Sequence, residues 1–492
     1  MNNSKDPIFS LPVFLKNKSP QSAIDTKLGV RFINTGTLHS DAWEGSCRTG
    51  DLNNLTHEVE KTSLNRHLDN LKQELSSISL PPEVELVEPI SMYSWAEKAN
   101  PDIVLPKEQL AALQKHDEQT DVYVVTHPYE GFQIAERYKK PVIIMQKSGW
   151  AVDMPAAIRS LGIPSFHAED MDTVFDFIRL FAVKKAVGRT KLLNVTNFPR
   201  RVPHGVVSSI VDLEFIKERY GMDYTYLDYQ EFFGEMDKIV EDSTIQNDAD
   251  SIADLLMNNA ISNNMTKEDI KYSVLFYLAA NRIMSEYDCN AFTIECFELC
   301  VSLNTWNRRF TPCLAHALLK DTGYPSACEG DVNAFLAMII QMYLSRKAVY
   351  MGNPTIDKKN GILNIKHSVA SLKMKGVDNN IESPYEIHSF TESGFGATLR
   401  HDFNKDIGET VTVGRFDPSG TKILITKGEI IGGGGLEGYS CSQNVNIKIP
   451  NGYEFWRESQ NFGHHLALVY GDYINKIRDL GDIMNFEVVA II

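Results

Sequence analysis

The stretch that most restricts this chain runs from Tyr324 to Asn353, where a short apolar segment, Pro325-Ser-Ala-Cys328, leads through Glu329-Gly330-Asp331 into Val332-Asn-Ala-Phe-Leu-Ala-Met-Ile-Ile-Gln-Met-Tyr-Leu344. A helix that is apolar on nearly all sides must be covered on all sides, so it belongs inside a layered domain. The segment that follows, leading to Met351-Gly352-Asn353, reads as a second strand. Strand, tight turn, buried helix and strand form a βαβ crossover. Such a unit returns its second strand parallel to the first and opens both carboxyl ends on one sheet edge, where α/β folds bind ligands. Glu329 and Asn353 are therefore expected to share one crevice.

Alternating elements also precede this stretch. Leu64, Leu68, Leu71 and Leu75 keep helical spacing until Pro81-Pro82, and Val84 to Val87 starts an extended run. Asp121 to Thr126 and Pro141 to Met145 read as buried parallel strands around a helix near Gly131 to Tyr138, and a long helix, Asp172 to Val187, precedes Gly188. A second set begins at Thr190, with a helix near Asp212 to Tyr220 stopped by Gly221 and a strand at Asp223 to Leu227. Asp237 to Asn264 is polar and acidic and reads as exposed helix or loop; Thr266 and Asp269 then form a capping pair. Beyond Thr355 the rhythm changes to short strands: Ile362 to His367, Gly396 to Phe403, Glu409 to Phe416, Lys422 to Ile431 and Val445 to Ile449. Near its end the chain returns to α/β.

At 492 residues the chain exceeds the roughly 250–300 at which a single core stops growing. The expected architecture is α/β: two Rossmann-like parallel α/β domains, residues 1–188 and 189–354, followed by a C-terminal antiparallel β-barrel-like domain, residues 355–492. The formal charge of −15 disfavours a nucleic acid or an anionic membrane as partner, since both reward clustered Lys and Arg. No segment approaches the roughly 20 apolar residues of a membrane span, and the N-terminal residues lack the basic and apolar regions of a signal peptide. Seven cysteines, without a C-x-x-C pair, read as buried thiols in a reducing cytoplasm.

Three features carry possible chemistry. Glu329 stands ahead of a helix terminus that favours negative charge, with Gly330 allowing the turn and Asp331 as N-cap. The two acids would either hold a cation or simply complement the helix. Asn461-Phe-Gly-His464-His465 precedes the apolar run Leu466 to Tyr470. If that segment is extended, its adjacent imidazoles diverge and only one enters a given site. His367 ends another expected strand. Gly432 to Gly435 follows a strand without opening a helix, so it reads as a flexible loop, not a phosphate cradle. No strand leads into a glycine fingerprint for NAD.

Cys328-Glu-Gly-Asp-Val-Asn333 is similar to the acidic turn of the L-fucose/L-arabinose isomerase family, and Gly463-His464-His465 resembles its late histidine ligand. Further echoes lie at Gly205 to Met222, Met351-Gly352-Asn353 and Thr391-Glu392-Ser393-Gly394. The resemblance implies an aldose–ketose isomerase acting on a free sugar, L-fucose, L-arabinose or a relative, through an enediol. It makes Glu329 a metal ligand and acid/base, His465 the imidazole ligand and Asn353 the occupant of a second acidic ligand's position. It places His464, His367 and Glu392 at the substrate. Asp331 or Glu392 would then supply the second proton carrier. Mixed oxygen and nitrogen ligation suits Mn²⁺ or Mg²⁺. The family further implies a homo-oligomer, trimer or hexamer. A sugar-binding protein without turnover is the alternative, because an amide at Asn353 brings no charge and accepts no proton.

Overall fold

A computed structural model describes residues 21–39, 57–97, 100–197, 212–378 and 382–492. Cys47, the N-terminal residues 1–20 and residues 205–211 of the Gly205 to Met222 echo lie outside them. The chain forms two compact units, one of Asp25–Lys185 and one of Ala186–Ile492 with the preceding Ala23 and Ile24.

In the first unit, six strands lie in the order Asn100–Val104, Val84–Glu97, Leu28–His39, Val122–Val125, Val142–Met145, Ser165–Ala168. All but the first pair in parallel. The strands Val122–Val125 and Val142–Met145 consist almost wholly of Val, Ile and Tyr because helices cover both faces of a parallel sheet. Leu64, Leu71 and Leu75 of the helix His57–Ser77 are buried, as their spacing predicts. Sequence periodicity missed the strands Leu28–His39 and Ser165–Ala168 and the helix Asp153–Ser160.

The second unit holds a four-stranded parallel sheet in the order Ser326–Cys328, Ala291–Ile294, Lys191–Val195, Asp223–Leu227. Its helix Leu213–Tyr220 begins at Asp212, which accepts from the Glu214 amide, and ends on Gly221 at φ 75°. Thr266 caps the helix Lys267–Glu286, accepting from the Asp269 amide while its hydroxyl donates to the Asp269 carboxylate. The acidic stretch after Asp237 is not merely an exposed segment. Its helix Ser243–Asn259 buries Ile245, Ala249, Ile252, Ala253 and Leu256 in the main core, a face that its many acids obscure in the sequence.

The same unit carries a closed antiparallel barrel of six strands: Thr410–Phe416, Leu466–Tyr470, Tyr350–Asp357, Ile362–Lys366, Asn444–Lys448 and Lys422–Gly434, which pairs back with the first. Glu487–Ile491 adds a parallel strand alongside Lys422–Gly434. Closure removes the exposed edges that an open antiparallel sheet would present. Ala397–Arg400, expected within this set, instead forms a separate pair with Glu386–Ser389.

Two expectations need correction. Tyr350–Asp357 is not a parallel neighbour of Ser326–Cys328; it runs antiparallel between Leu466–Tyr470 and Ile362–Lys366 in the barrel. The buried helix Val332–Ser345 therefore crosses from the parallel sheet to the barrel and packs on both, which is why Val332 to Leu344 are all buried. The glycines at Gly432 to Gly434 are not a flexible loop but the end of a barrel strand with an irregular register after Ile430. A Cβ on Gly433 would stand 2.6 Å from the Asn444 carbonyl oxygen, so close backbone approach explains the missing side chain.

Candidate metal centre

The site grows from the carboxyl end of Ser326–Cys328. Glu329 has φ 60° and Gly330 φ 63°, so the chain turns through two consecutive left-handed residues before Val332–Ser345 begins. Gly330 takes that conformation at no steric cost, whereas Glu329 takes it at a cost that the fold must cover. Asp331 is the N-cap, as its position predicts, and accepts from the Ala334 amide at 2.9 Å.

The second strand of chain arrives through Gly463-His464-His465. The extended geometry expected there fails, because Gly463 has φ 97° and His465 φ 56° and the strand starts only at Leu466. Both imidazoles consequently lie on one side, with ring centroids 4.2 Å apart. One ligand atom each from Glu329, His464 and His465 falls within 4.8 Å of the others.

His367, just past the barrel strand Ile362–Lys366, completes the group. Its Nε2 is 3.4 Å from one Glu329 oxygen, and His465 Nε2 is 3.5 Å from the other. Both imidazoles are fully buried, and neither Nε2 has a hydrogen-bond partner. These separations are long for hydrogen bonds. They approach the roughly 3 Å that separates neighbouring ligands about an ion at ~2.1 Å. Orphaned buried nitrogens are costly unless something occupies the space between them and the carboxylate. The donor set, one carboxylate and two or three imidazoles, fits a divalent cation.

The surrounding shell fixes the rings. Asp331 is fully buried; its carboxylate accepts from His465 Nδ1 at 3.0 Å and from Arg415 at 2.7 Å. That arrangement fixes Nδ1 of His465 on Asp331 and turns its Nε2 towards Glu329. Arg415 also donates to the carbonyls of Phe462 and His465, tying down the loop that delivers the histidines. His367 Nδ1 lies 3.7 Å from Cys441 Sγ.

Burial opposes the charge on Glu329, but His367 and His465 outweigh it and hold its carboxyl well below the usual range. Burial likewise resists the charge on Asp331, and Arg415 followed by His465 lowers it. Desolvation would lower His367, yet Cys441 and Glu329 carry it up to about 9. His464 goes the other way: desolvation and the adjacent His465 push it down to about 4.

The sequence put Glu329, Asn353 and His465 at the metal and His464 and His367 at the substrate, whereas here His367 faces the same carboxylate as His465. Asn353 sits half-buried in the barrel opposite Lys366. Its strand touches the site turn where Met351 Sδ accepts from the Cys328 amide at 3.2 Å. Glu392 is exposed within the turn that Thr391 and Phe395 close, outside the ligand groups that converge on Glu329. Asp331 has its carboxylate enclosed by the cap, His465 and Arg415, so a sugar could not reach it. Arg415 was missed, although a signal exists: it follows Val411 and Val413 at alternating, core-facing positions, where an Arg implies a buried partner.

No family model matches the chain. It is similar to the sulfoquinovose isomerases of Priestia aryabhattai and of Priestia megaterium, each 23% identical over 322 residues that cover 63% of this chain. That of Alkalicoccus urumqiensis is 24% identical over 321 residues, 63% of this chain and 68% of the relative. The chain spans 66% of the length of the two Priestia relatives, and all three carry the name of a sugar isomerase.

Proposed function

We propose that this protein is a metal-dependent aldose–ketose isomerase for a free sugar, with Glu329, His465 and His367 holding a hard divalent cation such as Mn²⁺ or Mg²⁺. The observation that carries this reading is the pair of buried Nε2 atoms that face the two oxygens of one carboxylate at 3.4 and 3.5 Å without a hydrogen bond. Similarity to sugar isomerases supports the same reaction class. When bound, the cation supplies a Lewis acid that draws electron density from a sugar carbonyl.

The chain's own residues do the rest. Glu329 stays charged beside the imidazoles and is the candidate acid/base for moving hydrogen between neighbouring carbons. His464, exposed beside Glu329 and His465, is the side chain proposed for the second proton. Asp331 and Arg415 orient His465 and do not touch the sugar. Asn353 keeps its proposed role as an amide ligand and Glu392 its proposed contact with the substrate. The same reading takes both parallel sheets as Rossmann-like units and the protein as a cytoplasmic homo-oligomer, a trimer or hexamer. Among the described residues no helix is long and apolar enough to cross a membrane.

The test is a sugar screen in added Mn²⁺ that begins with sulfoquinovose, L-fucose and L-arabinose and follows solvent deuterium into C1 or C2. Glu329→Gln is expected to lower turnover by at least about 100-fold, the scale of a lost acid/base and ligand. Sugar binding without exchange would favour a binding protein instead. Full turnover in Glu329→Gln would refute the assigned role.

A further inference from the structure

Two thiols meet on the flank of the metal centre. Cys328 ends the strand Ser326–Cys328 and pairs in register with Ile294 of the neighbouring parallel strand. Cys296 follows Ile294 by two residues at the start of Cys296–Val301. Parallel register therefore brings the two sulfurs side by side, 3.4 Å apart. Together with a Glu329 oxygen they form a group whose ligand atoms all lie within 4.8 Å of one another.

This donor set differs in kind from the imidazole–carboxylate set across Glu329. Thiolates select soft or borderline ions, and a tetrahedral ion at ~2.3 Å from two sulfurs sets them roughly 3.8 Å apart, a few tenths of an ångström from the spacing here. Cys328 is buried while Cys296 is partly exposed, which gives an ion a way in from solvent. The Met351 thioether, in contact with the Cys328 amide, adds a third polarisable sulfur to the wall.

We propose that Cys296, Cys328 and Glu329 form a second cation site for thiophilic divalent ions such as Zn²⁺, and that it competes with the hard-cation site because both use the Glu329 carboxylate. On binding, each thiol releases its proton to solvent as a sulfur–metal bond forms, and nothing is oxidised or reduced. The competition rests on the isomerase reading above; the binding does not.

The metal-free full chain, kept reduced with a phosphine, is titrated with Co²⁺ and followed for the near-ultraviolet thiolate-to-cobalt charge-transfer band, then back-titrated with Zn²⁺. The expected result is a thiolate band that Zn²⁺ abolishes, with Cys296→Ser and Cys328→Ser each losing it and binding Zn²⁺ at least about 10-fold more weakly, the lower end of what a disturbed metal site costs. Because Cys328 is buried, the half-buried Cys296 variant keeps the test decisive if the other fails to fold. No band in the reduced wild type, or an undiminished band in Cys296→Ser, overturns the site. Turnover by the Mn²⁺-loaded protein should be inhibited by Zn²⁺ in the wild type and less so in Cys296→Ser; equal inhibition overturns the shared carboxylate. A thiolate band in a protein that isomerises no sugar would sink the isomerase reading and leave this site standing.

Discussion

Each compact unit buries a carboxylate beside an imidazole near the carboxyl end of a parallel strand, and the two pairs end differently. In the first unit Glu130 is wholly buried; one oxygen accepts from the Ser94 hydroxyl and the other lies 2.7 Å from His127 Nδ1. That acid is occupied on both sides. In the second unit Glu329 faces two imidazole nitrogens at 3.4 and 3.5 Å, too far for hydrogen bonds, while a separate acid, Asp331, takes the Nδ1 of one of those rings. A buried acid–histidine pair is closed when every polar atom is matched inside the protein, and it is open to a ligand when ring nitrogens and carboxylate oxygens converge without hydrogen bonds between them.

The sharpest way to break this comparison is Asp331→Asn. The amide can still cap the helix, but it removes the carboxylate charge that faces Arg415 and loosens the hold on His465 Nδ1. Mn²⁺ affinity in equilibrium dialysis should fall about 10- to 100-fold. Unchanged affinity in a variant that is folded by circular dichroism would mean that Asp331 does not orient the ligand. A smaller effect belongs to Glu130→Gln. It should cost about 1–3 kcal/mol in chemical denaturation, the penalty for a mismatched buried hydrogen bond, and leave Mn²⁺ affinity alone. Weakened cation binding in that variant would contradict the closed reading of the first unit.

The mildest effect concerns a third buried acid that has no imidazole. Asp321 accepts from the amides of Leu372 and Lys373 at 3.0 and 2.8 Å, and burial, the larger influence, pushes it up to about 7. Its unfolded value is about 3.9, so between the two values the folded chain holds a proton that the unfolded chain has released. Stability contributed by this group therefore declines as pH rises from about 4 to about 7. Thermal midpoints measured across that range should decline less in Asp321→Asn than in wild type. An equal slope would mean that burial does not raise this acid, and the matched-versus-open distinction would lose its reference point.

Much of this protein was written in local sequence. Strand-and-helix alternation, the caps at Thr266 and Asp331, the stop at Gly221 and the buried character of Val332–Ser345 depend on side chains within a few residues of one another, and each has the form its sequence predicts. The acidic turn and the His-His segment were legible for the same reason. Tertiary structure decided which sheet receives Tyr350–Asp357, because two ends of a crossover look alike whether they enter one sheet or two. It decided that His367 joins Glu329, that His464 and His465 turn the same way through φ 56° at His465, and that Asp331 is spent on Arg415 and a ring nitrogen. Those outcomes depend on contacts between residues far apart in sequence, 134 positions for Asp331 and His465, where closure of the barrel and not local spacing sets which side chains converge.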